Sequence, residues 1–141
     1  MINMKIAPEN ISTIKNCWKK ITSGQQETAF VEAFYSHLFK LNPGYRDLFP
    51  GDMDVMSSKL RETLNQVING LEHFTHLEAS LKELGQSHQA LKITPDMYAH
   101  VTSCILLALD TILGAALRDH EKQSWKEAFD LISGTMISGY N

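Results

Sequence analysis

Residues 84–92, LGQSHQALK, place a histidine inside an apolar helical stripe, and the fold can be read outward from this stretch. With the preceding turns included, the stripe contains four leucines: Leu77, Leu81, Leu84 and Leu91. His88 follows Leu84 by four residues and precedes Leu91 by three, so one helix face carries the leucines and the imidazole. A buried imidazole needs a partner, which is either an ordinary hydrogen bond within the core or a metal. The partner of His88 therefore decides the function.

The composition indicates a single soluble domain over residues 1–141. A net charge of −3 and a pI of about 6.0 give no electrostatic footprint for nucleic acid or an anionic membrane. The start of the chain lacks the apolar core of a secretory signal, and the longest apolar run, 105–109, is too short to span a bilayer. We therefore expect a cytoplasmic protein in which Cys17 and Cys104 are buried free thiols.

Apolar residues recur with helical spacing along almost the whole chain and predict an all-α fold. Six long helices are expected over residues 8–21, 25–41, 53–71, 77–91, 95–113 and 120–137, with one short turn-helix starting at residue 43. Thr94-Pro95-Asp96 is typical of a helix start, because it combines a threonine cap, an early proline and an acidic residue in the first turn.

Several residues in this helical frame resemble those of the globin family, and the resemblance covers nearly the whole chain. Pro43 opens a short helix and Phe49 follows six residues later, as do the globin proline and the phenylalanine that stacks on haem. His88 looks like the proximal histidine of that family. The remaining matches, which resemble bacterial single-domain globins and the globin module of flavohaemoglobins, are Tyr35, Tyr98 and the closing Trp125-x-x-x-Phe129. The resemblance implies a globin fold, with the helices packed around a haem pocket.

On the proximal side, the resemblance implies that His88 binds the iron of haem b through Nε2. Its Nδ1–H would donate to the Leu84 carbonyl or to Ser87, which would fix the ring and raise its basicity. Lys92 would meet a haem propionate at the rim of the pocket. The residues expected to line the porphyrin are Phe49, Leu60, Leu84, Leu91, Ile93 and Tyr98.

On the distal side, the resemblance gives Tyr35 the role of hydrogen-bond donor to a bound gas ligand. The position usually filled by histidine or glutamine holds Met56, and Leu60 would pack over the iron. A thioether donates no hydrogen bond, so Tyr35 would be the strong donor of a ligand pocket that also includes Phe49. Two alternatives stay open, in which Met56 or Lys59 itself occupies the sixth position on the iron.

The function implied is reversible binding of O2, NO and CO at ferrous haem, with no catalytic residue assigned. A first alternative is NO dioxygenation supported by a separate reductase, since we expect no flavin domain after Asn141. Tyr140 stands where the resemblance gives flavohaemoglobins a proximal glutamate, so we expect this reaction to be slow at best. A second is a gas or redox sensor acting through a partner protein, and a third is a haem-free structural globin. We expect a monomer or homodimer that neither binds nucleic acid nor inserts into membranes.

Outside the globin-like positions, His73-x-x-His76 is a pair of histidines with metal-compatible helical spacing. Zinc sites take three or four ligands with an orienting shell, so two histidines near a helix end are expected to be solvated. The chain contains no glycine-rich phosphate loop, nucleophile elbow or paired-carboxylate site. No other class of active site is therefore predicted.

Overall fold

The structure, a computed structural model, describes residues 6–49 and 51–141. Within these ranges the regular elements are all helices: α1 (Pro8–Ser23), α2 (Glu27–Leu41), α3 (Met53–Gly70), α4 (Phe74–Ala90), α5 (Pro95–Leu113) and α6 (Asp119–Ser138), with 3₁₀ turns at Pro43–Leu48, Leu71–His73 and Gly114–Ala116. The predicted all-α class, with six long helices and a short turn-helix after residue 42, is confirmed. The prediction of no secretory signal at the start concerns residues 1–5, which lie outside the described ranges.

The largest boundary error is at the start of α4, which begins at Phe74 instead of residue 77. Phe74 lies one helical step of three before Leu77, so the apolar stripe that contains His88 is one turn longer than predicted. The chain reaches Phe74 directly from α3 through the 3₁₀ turn Leu71–His73, which the sequence pattern did not reveal. The helix that carries His88 is therefore built into a nearly continuous helical segment.

Several helix ends follow the capping chemistry of their residues. Asp52 at the start of α3 accepts the Asp54 amide at 2.8 Å, and Asn42 accepts the Gly44 amide at 3.0 Å before the Pro43 turn. Thr94 does occupy the cap position of α5, but its side chain makes no capping hydrogen bond, so that part of the prediction is wrong. Pro95 in the first turn still sets the start of the helix.

The core forms where α5 packs against α2 and α6, and where α6 packs against α1 and α4. Trp125 of α6 is fully buried, and the free thiols Cys17 and Cys104 are buried as predicted. The segment Pro95–Ala116 is apolar and long enough to cross a membrane by length and composition alone. In this fold it has the position of a core helix, since it contributes the buried residues Tyr98, Cys104, Ile105, Ala108 and Leu109.

Helices α4 and α6 touch backbone to backbone at two glycines. A Cβ atom on Gly85 would collide with the Met136 carbonyl, and a Cβ atom on Gly139 would collide with the Lys82 carbonyl. The absence of side chains at these two positions lets α6 press directly on α4 three residues before His88. The position of His88 is therefore tied to the end of α6.

Candidate functional site

His88 lies in the last turn of α4 and is half-buried. Its Nδ1 is 2.8 Å from the Leu84 carbonyl oxygen, and because a carbonyl only accepts, Nδ1 carries the proton. The Ser87 hydroxyl donates instead to the Glu83 carbonyl, at 3.4 Å, so Leu84 is the partner that the structure shows. In the neutral ring this leaves Nε2 with a lone pair, and Nε2 makes no hydrogen bond to any of the described residues. That is the state an imidazole needs in order to bind a metal.

Apolar groups surround His88 on the proximal side. The Tyr98 ring lies 6.1 Å from the imidazole at an interplanar angle of 30°, and Leu84 and Ile93 are half-buried beside the core. Leu91 differs from the prediction of a buried stripe, because 56% of its side chain is exposed. The helix ends at Ala90, so Leu91 is a cap residue and leaves the buried face. Its contribution to a porphyrin wall stays a prediction.

The C-terminal end of α4 is a Schellman motif that returns to His88. The Ile93 amide donates to the His88 carbonyl at 3.1 Å, and the Lys92 amide donates to the Gln89 carbonyl at 2.9 Å. Lys92 has a φ of +63°, at the position that glycine usually takes in this motif. The Lys92 side chain is exposed, as expected of a group at the rim of a pocket.

Two tyrosines form a hydrogen-bonded chain next to His88. The Tyr140 hydroxyl donates to the Ile93 carbonyl at 2.7 Å, so its single proton is used there. The Tyr98 hydroxyl, 3.0 Å away, must then donate to the oxygen of Tyr140. Burial, and next the hydrogen bond with Tyr140, raise the pKa of Tyr98 well above its ordinary value. The chain is therefore neutral throughout.

Tyr35 of α2 is the centre of a second, aromatic cluster. Its ring is 5.2 Å from Phe34, 5.7 Å from Phe39 and 5.2 Å from Phe49, and only 6% of the residue is exposed. Burial raises the pKa of Tyr35 to about 12. Its hydroxyl has one partner among the described residues, the Met56 carbonyl at 3.5 Å, which is at the outer limit for a hydrogen bond. A buried hydroxyl donor with so weak a partner could donate its hydrogen bond to a ligand instead.

The remaining predicted distal residues lie on α3. Met56 and Leu60 are half-buried and pack against the core, whereas Lys59 is exposed. The terminal methyl of Met56 rests against Gly51, 3.5 Å from where a Cβ atom would stand. The structure thus joins Tyr35, Phe49 and Met56 in one cluster and His88 with Tyr98 in another, and no hydrogen bond or ring contact joins the two clusters in the described ranges.

Sequence reasoning assigned no role to Phe39 or Gln89, and it treated Tyr140 only as the replacement of a glutamate. Phe39 follows Tyr35 by four residues, a spacing that predicts a side-by-side pair on one helix. Gln89 and Tyr140 meet other elements through contacts between distant parts of the sequence, which no local pattern signals.

The other candidates from the sequence contain no assembled site. The His73 and His76 rings stack 5.9 Å apart on the surface, and the described residues include no group of three or more potential metal ligands.

A polar groove of about 480 Å³ between α1 and α3 is lined by residues that include Lys15, Trp18 and Asn65, and none of the predicted site residues lines it. Nε2 of His88, which has no hydrogen-bond partner among the described residues, and the weakly bonded Tyr35 hydroxyl remain the two candidate groups for binding a ligand.

Comparisons with known proteins support the resemblance to globins. A globin family model matches residues 32–136. A flavohemoprotein of Halalkalibacterium halodurans is 28% identical over 77% of this chain, but the match spans only 27% of that longer protein. An uncharacterized globin-like protein of Aquifex aeolicus is 23% identical over 94% of this chain and 93% of its own length. A neuroglobin of Tetraodon nigroviridis is 24% identical over 96% of this chain and 93% of its own length. The chain belongs to the globin family, and this membership supports haem binding.

Proposed function

We propose that this globin binds haem b through Nε2 of His88 and holds a diatomic gas (O2, NO or CO) beneath Tyr35. The observation that carries the proposal is the 2.8 Å bond from Nδ1 of His88 to the Leu84 carbonyl, which in the neutral ring leaves the lone pair on Nε2 free. His88 would hold the haem through Nε2, and the bound haem would supply a ferrous iron that can take up a small gas ligand. Both cysteines are buried in the core, which supports a haem held without covalent attachment.

The proximal residues of the chain would hold the imidazole and shield it from water. The Leu84 carbonyl fixes the tautomer and orientation of the His88 ring and makes Nε2 more basic. Leu91, which is 56% exposed, offers apolar surface that a porphyrin would cover, with a gain of about 25 cal/mol for each Å² removed from water. The exposed Lys92 ammonium would pair with a propionate at the rim, a contact of modest value.

Tyr35 would donate its hydroxyl proton to the gas ligand. Because burial raises the pKa of Tyr35 to about 12, the hydroxyl stays protonated at neutral pH. Turning it away from the Met56 carbonyl costs little, since that bond is 3.5 Å long. A hydrogen bond to a ligand with partial negative charge is worth roughly tenfold to a hundredfold in affinity. We expect most of this gain as a slower dissociation rate.

Met56, Leu60 and Phe49 would form the apolar part of the distal wall. The half-buried Met56 thioether is the first candidate for an internal sixth ligand, and the exposed Lys59 amine is the second. The packing of the half-buried Met56 side chain against the core supports an open sixth position, because the thioether is already held by the protein.

A second candidate function is NO dioxygenation with a separate reductase. The similarity to a flavohemoprotein favours it, although the match is confined to 27% of that protein. The neutral chain through Tyr98 and Tyr140 argues for slow turnover, because no carboxylate takes part in it to strengthen the proximal imidazole. Reversible gas binding is therefore the function that the geometry supports best.

The visible spectrum of the haem-reconstituted protein tests the proposal. We expect a Soret band, a five-coordinate spectrum in the reduced protein without ligand, and conversion on addition of CO. A six-coordinate reduced spectrum that Met56→Leu abolishes would establish internal ligation by Met56. Failure of the folded protein to bind haem would contradict the proposal. NO consumption with and without an added reductant then separates gas binding from dioxygenation.

A further inference from the structure

Helices α2 and α5 share an outward face on which two hydrogen bonds fix their relative direction. Nε2 of His37 donates to the Thr111 hydroxyl oxygen at 3.0 Å, since that hydroxyl gives its own proton to the Leu107 carbonyl at 2.9 Å. Tyr45, which comes later in the chain than His37, bonds to His100, which comes earlier than Thr111. The α2 segment and α5 therefore run in opposite directions along this face.

One end of the face is apolar and exposed. Leu41 of α2 and Leu107 of α5 lie between the two hydrogen bonds, and 53% and 46% of their surfaces are exposed. The segment Pro95–Ala116 is apolar along its length, yet only 28% of the residues in its most apolar stretch are buried. Since apolar surface in water costs about 25 cal/mol for each Å², covering this end of the face would be favourable.

The opposite end of the face has small side chains. Ala33 stands one helical turn before His37, and the exposed Ala115 stands one turn after Thr111. The two leucines stand one turn from the same two residues in the other direction. The large and the small ends are therefore equally far from the bond between His37 and Thr111.

Two charged side chains of opposite sign flank the face along α2. Glu32 and Lys40 are exposed on either side of Ser36, at i−4 and i+4, so one helix line carries all three residues. Neither charged group forms an ion pair with any residue of 6–49 or 51–141. They are about 12 Å apart along the helix axis, too far to pair with each other within one chain.

We propose that this face is a homodimer interface whose two-fold axis passes near His37 and Thr111, across α2 and α5. Such an axis sets each helix antiparallel to its copy, so the leucine end of each chain meets the alanine end of the other. It also brings Glu32 against Lys40 of the partner subunit, twice in each dimer. This match of size and charge about one point is what a closed two-fold contact requires, whereas a lipid surface would not call for it.

The interface uses none of the residues proposed to hold haem, so the dimer forms with or without it. In sedimentation equilibrium of the full-length chain, we expect wild type to approach twice the chain mass of 15.9 kDa. Leu107→Glu should raise the dissociation constant of the dimer about a hundredfold, because it buries unpaired charge in the contact. The matched control is Val55→Glu on α3, where the side chain is 49% exposed outside the face and the dimer should be unaffected.

A charge swap tests the two-fold arrangement itself. Glu32→Lys and Lys40→Glu should each raise the dissociation constant about tenfold, because like charges then meet across the axis. The double variant should recover the wild-type constant, which a merely local effect on α2 would not produce. Failure of the double variant to recover would overturn the arrangement.

Two further results would overturn the interface. One is a wild-type mass of 15.9 kDa at concentrations up to about 1 mM, and the other is a dimer that Leu107→Glu leaves intact. A wild-type monomer that binds phosphatidylcholine vesicles, and loses this binding in Leu107→Glu, would make a membrane the occupant of the face and contradict the proposal.

Discussion

The two sides of the candidate haem site differ in how completely the protein satisfies their polar groups. On the proximal side, the imidazole Nδ1 of His88, the Ile93 carbonyl and the hydroxyls of Tyr98 and Tyr140 have partners at 2.7–3.0 Å. On the distal side, the buried Tyr35 hydroxyl has a single partner at 3.5 Å. Apart from Nε2 of His88, these proximal groups are bonded within the protein, whereas the distal Tyr35 hydroxyl has hydrogen-bonding capacity left over.

This difference matches two different tasks. A group that orients a permanent ligand works best when its own geometry is fixed by surrounding bonds. A group that meets a transient ligand should lose little when it changes partner, which a 3.5 Å bond allows. The contrast teaches that the orientation of His88 is set by the fold, while the proposed gas binding would depend on the Tyr35 cluster.

The largest expected effect comes from breaking the close packing on the proximal side. Gly85→Ala places a Cβ atom on the Met136 carbonyl, so α4 and α6 must move apart. We expect a loss of about 2–3 kcal/mol in the free energy of unfolding, measured by urea denaturation.

Gly134→Ala is the matched control, because a Cβ atom on this glycine of α6 meets nothing within 4 Å. Alanine is the better helix former, so this variant should gain about 0.5–1 kcal/mol. Equal stability of the two variants would show that α4 and α6 do not touch as described.

A smaller effect, confined to ligand binding, is expected from Tyr35→Phe. Loss of the donor should raise the dissociation rate of O2 by about tenfold to a hundredfold, measured by stopped-flow mixing. The stability of the protein should change little, because the lost internal bond is weak.

Tyr45→Phe removes a buried hydroxyl with a strong partner outside the Tyr35 cluster and serves as the control for ligand binding. It should leave the O2 dissociation rate unchanged and lower stability more than Tyr35→Phe does. An unchanged rate in Tyr35→Phe would assign the donor role to another residue.

The smallest expected effect is a loss of stability that is absent at neutral pH and appears only at alkaline pH. Burial raises the pKa of Tyr35 from 10.0 to about 12, so the unfolded chain releases this proton at lower pH than the folded protein. Its contribution to stability is therefore complete below pH 10 and is lost as the pH rises toward 12.

Burial of Cys17 acts in the same direction between pH 9.0 and about 11. In the chain without haem, the free energy of unfolding should fall across both windows. Tyr35→Phe should lessen the slope only above pH 10, where the raised pKa of the buried Tyr98 keeps part of the slope in place. The same slope in wild type and Tyr35→Phe above pH 10 would show that the Tyr35 hydroxyl is accessible to water.

The sequence was enough for the helical frame, and the resemblance limited the hydrogen-bond partner of His88 to the Leu84 carbonyl or Ser87. The stripe through Leu77, Leu81 and Leu84 depends on local periodicity, so it predicts a helix and the face that holds His88. The bond from Nδ1 to the Leu84 carbonyl is also local, since it spans a single helical turn.

Contacts between distant segments were beyond the reach of the pattern. Tyr140 bonds to Ile93 across 47 residues of sequence, and the Met136 backbone leaves no room for a side chain at Gly85. Local periodicity reveals neither contact. Leu91 was predicted to be buried because the spacing fits, but the helix stops one residue earlier. The sequence did not reveal that helix end, because Lys92 takes the left-handed conformation at a position where glycine would have indicated it.

The titration of haem into His88→Ala, compared with wild type and His76→Ala, tests the central claim most directly. His76 is an exposed histidine of the same helix, so its loss removes an imidazole without touching the candidate site. We predict that wild type and His76→Ala develop the same Soret band with one equivalent of haem, whereas His88→Ala does not. An equal titration of all three folded proteins would contradict the assignment of His88 as the iron ligand.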